Sequence, residues 1–278
     1  MKKIIAAIDF SDASFNALSY AAYLANAFNS TLIVVNAYND TDAIDEIPVT
    51  EIFDSGSDLD KANHNFLVAQ MEGVVRKFTV KIKGIVKKGK TIPVINKIAN
   101  DEKASLIVMG MKGRGKSSSI FGSTTTAMIG KTTLPMIIVP EKTTYQPFEN
   151  IVIAVDFKES TPASKFKVLN EIIKKYDPFL QILNVQKKNS RLTPETIAGK
   201  IRSGLMWDKY NHNFNIIEND DVGDGINQFL KKHPAQLVAM VARKHGLVER
   251  IFNKSNTRRM TKQANTPLLI MHAPKEPI

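Results

Sequence analysis

The chain of 278 residues contains no cysteine and only one tryptophan. Without cysteine it can form no disulfide, no zinc site built on thiolates and no cysteine nucleophile. No apolar run approaches the roughly 20 residues that a membrane-spanning helix needs, and from the sequence alone we expect no membrane partner. The apolar run near the amino terminus stops at Asp9, which is too short for the apolar region of a secretory signal. Together these absences predict a cytoplasmic protein.

Composition and charge narrow the class of protein further. With 43% apolar residues, and with only 14 glycines and 12 prolines, a chain of this length is expected to fold as about two globular domains. The formal net charge of +11 invites a polyanionic partner such as nucleic acid. However, the lysines are scattered, and no platform of interleaved aromatic and basic residues accompanies them. We therefore expect a generally basic surface and no nucleic-acid site.

The chain repeats itself, which indicates a duplicated unit. KKIIAAIDFSDAS near the start has its counterpart in ENIVIAVDFKEST from Glu149, and three further landmarks recur in the same order. The offset falls from 147 residues at Asp9/Asp156 to 132 at Pro135/Pro267. We place the additional residues of the first half in Asn39–Asp58. The predicted domains are residues 1–143 and 144–278, with Glu141–Phe148 as the linker.

Apolar periodicity alternates between strands and helices within each half. A short β-branched run is typical of a strand that is covered on both faces, and longer runs with a period near 3.6 are typical of helices. In the first half the predicted strands are Ile4–Ile8, Thr31–Ala37, Val80–Val86, Leu106–Met109 and Met136–Val139. The predicted helices are Ala13–Phe28, Leu59–Phe78, Ile92–Asn100 and Ser123–Lys131. This order predicts an α/β fold with a five-stranded parallel sheet flanked by helices in each half.

The segment from Ala104 to Pro140 carries the strongest functional signal. An apolar run ends at Gly110, a turn with Gly113 and Gly115 follows, and Gly122 precedes a helix that opens with Ser and Thr. Glycine lets the backbone approach a ligand, and the first N–H groups of a helix attract anions. A strand, a glycine turn and a helix start in this order predict a phosphate site. The alternative is an ordinary loop before a capped helix.

With these motifs the chain resembles the universal stress protein family, in its tandem form with two domains in one chain. The resemblance rests on the aspartate after the first strand (AAIDFS and IAVDFK), the VMGMKG turn, GST at the last helix and the proline before the last strand. It implies two Rossmann-like domains of the adenine nucleotide alpha hydrolase-like type. It also implies a site for ATP or AMP in the first half, with or without magnesium. The implied nucleotide-binding residues are Ala7, Asp9, Ala37, Gly110, Lys112, Gly113, Gly122, Ser123 and Thr124.

The two halves depart from the family motif in different ways. In the first half, Arg114–Phe121 is one residue shorter than the spacing of ATP-binding members. In the second half, Val241 and Lys244 stand at the glycine positions, followed by Lys254-Ser255. A side chain there occupies the space in which the backbone would meet phosphate. We therefore expect nucleotide binding in the first half alone, and we interpret Asp156 as a helix N-terminal acid.

A rival motif and several weaker ones remain. GMKGRGKS, Gly110–Ser117, fits the P-loop pattern literally, but it follows the fourth strand of its unit and no aspartate-ended strand comes next. No residues have the spacing of a metal site, and the Asp220–Asp224 turn resembles a calcium loop only loosely. We expect each of the five histidines to be a surface or linker residue. No nucleophile set or general base is visible, so at most slow ATP hydrolysis is expected.

The resemblance therefore implies a stress-response or regulatory protein that binds an adenine nucleotide and contacts an unidentified protein partner. Its two domains would pair as an internal pseudo-dimer, and further homodimerisation stays open. Two alternatives remain: a scaffold of the same fold that binds no nucleotide, and a P-loop NTPase.

Overall fold

The computed structural model describes residues 1–39, 56–112, 122–157, 163–188, 193–242 and 265–272, with residues 56–59, 163 and 195 described by their backbone alone. The chain divides into two compact units, one built mainly from residues 1–144 and the other from residues 145–278. A domain boundary after residue 143 stays a prediction. Most of the segment in which we place the additional residues of the first half lies outside the described residues.

The first unit is a parallel sheet whose strands alternate with helices. Strand β1 pairs in parallel with both β2 and β4, and β2 pairs in parallel with β3, giving the order β3-β2-β1-β4-β5. Its elements are β1 Lys3–Ile8, α1 Asp12–Ala27, β2 Thr31–Tyr38, α2 Gly56–Val75, β3 Ile82–Lys88, α3 Thr91–Asp101, β4 Leu106–Gly110, α4 Ser123–Lys131 and β5 Met136–Val139.

The second unit repeats this arrangement. Its strands follow the order β8-β7-β6-β9-β10, in which each strand takes the place of its counterpart five strands earlier. The elements are β6 Asn150–Ala154, a 3₁₀ turn Ala163–Phe166, α5 Lys167–Tyr176, β7 Phe179–Gln186, α6 Pro194–Trp207, β8 His212–Glu218, α7 Val222–Lys232, β9 Leu237–Ala242 and β10 Leu268–His272. The predicted α/β fold is confirmed, and the described residues form five strands in each half.

The central strands are buried on both faces, which explains their unbroken apolar sequences. Ile4, Ile5 and Ala6 of β1 are fully buried, and so is every residue of β5. The least accurate prediction concerns α2 and β3, whose bounds differ from Leu59–Phe78 and Val80–Val86. After α2 the backbone turns at Arg76 and Lys77, and the ring of Phe78, the next residue, packs edge-on against Tyr23 with 4.6 Å between centroids. Periodicity alone does not reveal such a turn.

Candidate functional site

The carboxyl ends of three neighbouring strands meet at one edge of the first sheet. In the register of the sheet, Ala7 lies opposite both Val35 and Met109. Asp9, Ala37 and Gly110 come one or two residues beyond this row, so the fold brings these three predicted site residues to the same edge. In open parallel sheets this edge is where ligands bind.

Asp9 organises the turn that opens α1. Its Oδ1 accepts hydrogen bonds from the backbone N–H of Ser11 at 3.2 Å and from Ser11 Oγ at 2.6 Å. Ser11 in turn caps α1 by accepting from the N–H of Ser14 at 3.3 Å. Phe10, between them, has a φ of 62°, which is rare for a residue other than glycine. Part of the Asp9 carboxylate is therefore committed to the protein's own backbone.

Packing between β4 and α1 requires a glycine at position 110, whether or not a ligand is bound. A Cβ on this residue would lie 2.9 Å from the carbonyl oxygen of Ala13 in α1, closer than real Cβ atoms come. The carbonyl oxygen of Gly110 accepts a buried hydrogen bond of 3.0 Å from Thr125 Oγ1. Gly110 thus allows β4 to approach the first turn of α1 and ties β4 to the start of α4.

Among the residues that the structure describes, no side chain caps the N-terminus of α4. Its N-cap residue is Gly122, which has no side chain to accept from the first turn. The N–H of Gly122 itself donates to the carbonyl of Met111 at 2.8 Å, so it is already engaged. Ser123 and Thr124, which open the helix, are exposed. Their N–H groups lie at the positive end of the helix dipole, which makes this end of α4 attractive to an anion.

The middle of the glycine turn lies outside the described residues. Gly113 is therefore not placed, nor are Lys116 and Ser117 of the rival P-loop motif. Lys112, the last described residue before this gap, is partly exposed. Eight of the nine predicted site residues are placed, all of them around the carboxyl edge of β1, β2 and β4 or at the start of α4.

Three side chains near this edge were not predicted by any motif. Asn36, one residue before Ala37, is 3% exposed and donates through Nδ2 to the carbonyl oxygen of Ile8 at 3.0 Å. Thr125 holds Gly110 as described above. Asn16 of α1 also donates to the carbonyl oxygens of Pro140 and Thr143, each at 2.9 Å, and so holds the chain that leaves β5. The one sequence signal for a role of Asn36 is its position as an amide inside the apolar run of β2.

The second unit has the same strand order and register as the first, but different residues at the carboxyl edge of its sheet. Ala154 lies opposite Met240, just as Ala7 lies opposite Met109, so Val241 takes the place of Gly110. Phe157, which follows Asp156, is 1% exposed and lies under α6. A Cβ on Gly199 would come within 1.6 Å of the Phe157 carbonyl oxygen, so the backbones of helix and turn are in direct contact.

The acidic turn Asp220–Asp224 and the histidines have structural explanations. Asp221 caps α7, since its Oδ1 accepts from the N–H of Asp224 at 3.0 Å. Within the described residues there is no group of three histidines or carboxylates that could hold a metal ion. The expectation for the histidines was wrong at His272, which is buried in β10 because that strand continues one residue further than its apolar run.

The comparisons with known proteins agree with this architecture. The family model of the universal stress protein family matches residues 1–140, and the chain belongs to that family. A universal stress protein from Archaeoglobus fulgidus DSM 4304 has a similar structure, with a TM-score of 0.72 and 17% identity, covering 96% of this chain and 97% of its own. A functionally unknown protein from Pseudomonas aeruginosa PAO1 follows with a TM-score of 0.60 and 13% identity, covering 98% and 93%. At these identities the two structures show the fold alone.

Among curated proteins, none matches the sequence. In the part of the chain that the structure describes, the helices are all too short or too polar to cross a membrane.

Proposed function

We propose that the first unit binds an adenine nucleotide, ATP or AMP, and that the chain acts as a cytoplasmic stress-response or regulatory module. The observation that carries this proposal is the uncapped N-terminus of α4, beside the carboxyl ends of β1 and β4. Such a helix end supplies unpaired N–H donors and a favourable dipole for phosphate. The adjacent strand ends offer a polar edge on which the nucleoside can lie.

Each site residue then has a role. Asp9 and Ala7 lie at the nucleoside end, and the backbone of Ala37 contacts the base. Lys112, Gly113, Ser123 and Thr124 surround the phosphates, with magnesium where the nucleotide brings it. Because the N–H of Gly122 is already bonded to Met111, Gly110 and Gly122 act by shaping the turn, whereas Ser123 and Thr124 supply the donors.

Binding without rapid turnover is the form of activity that we propose. The described residues of the site include one carboxylate, that of Asp9, and the Ser11 N–H and hydroxyl already occupy its Oδ1. A general base must be free to take a proton from the attacking water. We propose that any hydrolysis is slow and that the response follows nucleotide occupancy.

Overnight incubation of the full chain with ATP and magnesium, followed by desalting, denaturation and chromatography of the released nucleotide, tests this proposal. Recovery of intact ATP supports the binding module. Recovery of ADP indicates an NTP-hydrolysing enzyme, as the P-loop alternative requires. No retained nucleotide indicates a scaffold of the same fold that acts through protein partners alone.

The proposal places one nucleotide on each chain, in the first unit. In support, Val241 stands where the first unit has Gly110, and the turn after Asp156 is packed under α6. Calorimetry should therefore give one site per chain; two equivalent sites would contradict this. The pairing of the two domains as an internal pseudo-dimer stays a prediction, tested by whether residues 1–143 alone dimerise.

A further inference from the structure

Helix α6 carries a row of exposed aliphatic side chains on its outer face. Ile197, Ile201 and Leu205 are 50%, 60% and 77% exposed, respectively. They are spaced four residues apart, so they follow one another along one side of the helix. A surface helix normally carries polar residues there, and a clustered apolar patch of this kind marks an interaction surface. We call this row the α6 ridge.

The ridge cannot be buried by a rotation of the helix within its own unit. The opposite side of α6 is buried through Thr196, Gly199 and Trp207, and Gly199 lies directly against the backbone of Phe157. Successive residues are about 100° apart around a helix. The middle of the ridge therefore faces away from the side that packs on the unit, and the contact at Gly199 fixes this orientation.

Two cations border the ridge, one on each side, and Asp208, the C-cap residue of α6, follows Leu205 at its end. Lys200 and Arg202 are exposed and lie about 100° from the centre of the ridge in opposite directions. Neither forms an ion pair with any residue that the structure describes. The half of the chain that contains them, residues 145–278, holds 21 lysines and arginines against 13 aspartates and glutamates.

We propose that the α6 ridge docks on an anionic lipid surface, with Ile197, Ile201 and Leu205 entering the interface and Lys200 and Arg202 meeting lipid phosphates on either side. Interfacial helices bind membranes by this combination of a buried apolar face and basic flanks. The long stems of lysine and arginine allow their charges to stay at headgroup level while the ridge inserts.

The geometry favours lipid over the other possible occupants. A second copy of the chain docked ridge to ridge would bring the cations of both helices towards each other. A protein partner would need an apolar groove with acidic residues along both rims. A lipid surface deforms around a convex ridge and presents phosphate on both sides of it. This inference is independent of nucleotide binding, since α6 lies in the second unit.

Co-sedimentation of the full chain with vesicles tests the proposal, using phosphatidylcholine alone and phosphatidylcholine mixed with phosphatidylglycerol. We expect binding to the anionic vesicles only. Ile201→Asp should weaken that binding about tenfold or more, because it removes ridge area and adds a like charge to that of the lipid. The control is Val75→Asp in α2, a residue that is 53% exposed, which changes the net charge equally and should leave the binding near that of the wild type.

The control distinguishes binding through the α6 ridge from a general attraction of the basic protein to anionic lipid. Equal effects of Ile201→Asp and Val75→Asp would mean that net charge alone drives binding, and would overturn the proposal. Failure of the wild type to bind anionic vesicles at low salt would overturn it as well. A dimer in analytical ultracentrifugation that Ile201→Asp dissociates would identify a second copy as the occupant instead. Circular dichroism of the three proteins should be the same, since both substituted residues are exposed.

Discussion

The carboxamide of Asn36 donates a hydrogen bond of 3.0 Å to the carbonyl oxygen of Ile8, the residue before Asp9. The second unit repeats this bond between Asn184 and Val155, at 2.8 Å. Both asparagines are buried, at 3% and 5% exposure. Because the bond is present in the unit that lacks the glycine motif as well, it belongs to the fold. It fixes the end of the first strand, on which the aspartate of each unit is mounted.

Asn36→Asp should destabilise the first unit in a pH-dependent way. The change removes the donor to Ile8 and places a carboxylate beside a carbonyl oxygen, at a cost of about 3–5 kcal/mol when ionised and unpaired. Burial raises the pKa of the introduced carboxyl, so the folded state favours its protonated form. Relative to the wild type, the variant should lose least stability below about pH 4, and the loss should grow as the pH rises from there to that raised pKa.

Urea unfolding between pH 4 and pH 8 measures this effect, and Asn184→Asp is the matched change in the second unit. Similar losses in both variants would support a shared structural role. A stability profile for Asn36→Asp that is parallel to that of the wild type across this pH range would contradict the prediction.

Gly110→Ala should lower the free energy of unfolding whether or not nucleotide is present. The new Cβ meets the Ala13 carbonyl at 2.9 Å, and an overpacked contact of this kind typically costs about 1–3 kcal/mol. Gly130→Ala, in α4, is the control: its Cβ meets nothing within 4 Å, so it should stabilise the helix by up to about 1 kcal/mol. Equal thermal stability of the two variants would show that Gly110 is kept for ligand approach alone.

The strands and helices that position the site could be predicted from the sequence, because they follow from apolar periodicity. Unbroken β-branched runs gave the strands, and the predicted helix Ser123–Lys131 matches α4 at both ends. Because the carboxyl ends of parallel strands lie at the same edge of a sheet, the sequence predicts Asp9 and Gly110 at one edge. The sequence predicts Ser11 or Asp12 as the cap of α1, and the structure selects Ser11.

The parts of the site that could not be predicted depend on contacts between distant segments. The bonds of Asn36 to Ile8 and of Thr125 to Gly110 join residues that only the folded sheet brings together. The structural reason for Gly110 also lies in another element, at Ala13 of α1. From the sequence, Gly110 is interpreted as a residue that lets the backbone approach phosphate. The structure shows that the same glycine is also needed for packing of β4 against α1.

Glu102→Gln should reduce stability at neutral pH and leave it unchanged in strong acid. Hydrogen bonds from Lys3 and then Lys83 lower the pKa of Glu102 from 4.5 to about 2. A carboxyl with a lowered folded pKa stabilises the protein above its unfolded pKa, and this contribution is lost as the pH falls from about 4.5 to about 2.

Urea unfolding at pH 7 and pH 2 measures this difference. Glu72→Gln is the control, because Glu72 forms only an exposed pair with Arg76 at 3.3 Å. If Glu102→Gln destabilises the protein equally at both pH values, the lost ion pairs are not the cause.

Lys116→Ala separates the two phosphate-site hypotheses. In the universal stress protein arrangement Lys116 is a peripheral charge, and its loss should cost about 1 kcal/mol or less of nucleotide affinity. In a P-loop it would be the lysine that reaches the phosphates, and binding would nearly vanish. Isothermal titration with ATP should therefore show only a small change for Lys116→Ala. A loss of more than about a hundredfold at Lys116, with Ser123→Ala unaffected, would establish the P-loop reading.

Ser123→Glu should abolish nucleotide binding while making the free protein more stable. A carboxylate at the first position of α4 interacts favourably with the helix dipole, by about 0.3–1 kcal/mol. However, it fills the place where the phosphate would bind and repels the phosphate by its like charge. Opposite effects on stability and affinity distinguish this outcome from misfolding. Thr133→Glu adds the same charge at an exposed residue just beyond the other end of α4 and should bind nucleotide as the wild type does. Thermal unfolding without ligand, together with titration of ATP, measures both effects. Unchanged affinity in Ser123→Glu would remove the N-terminus of α4 from the site, and with it the observation on which the proposed function rests.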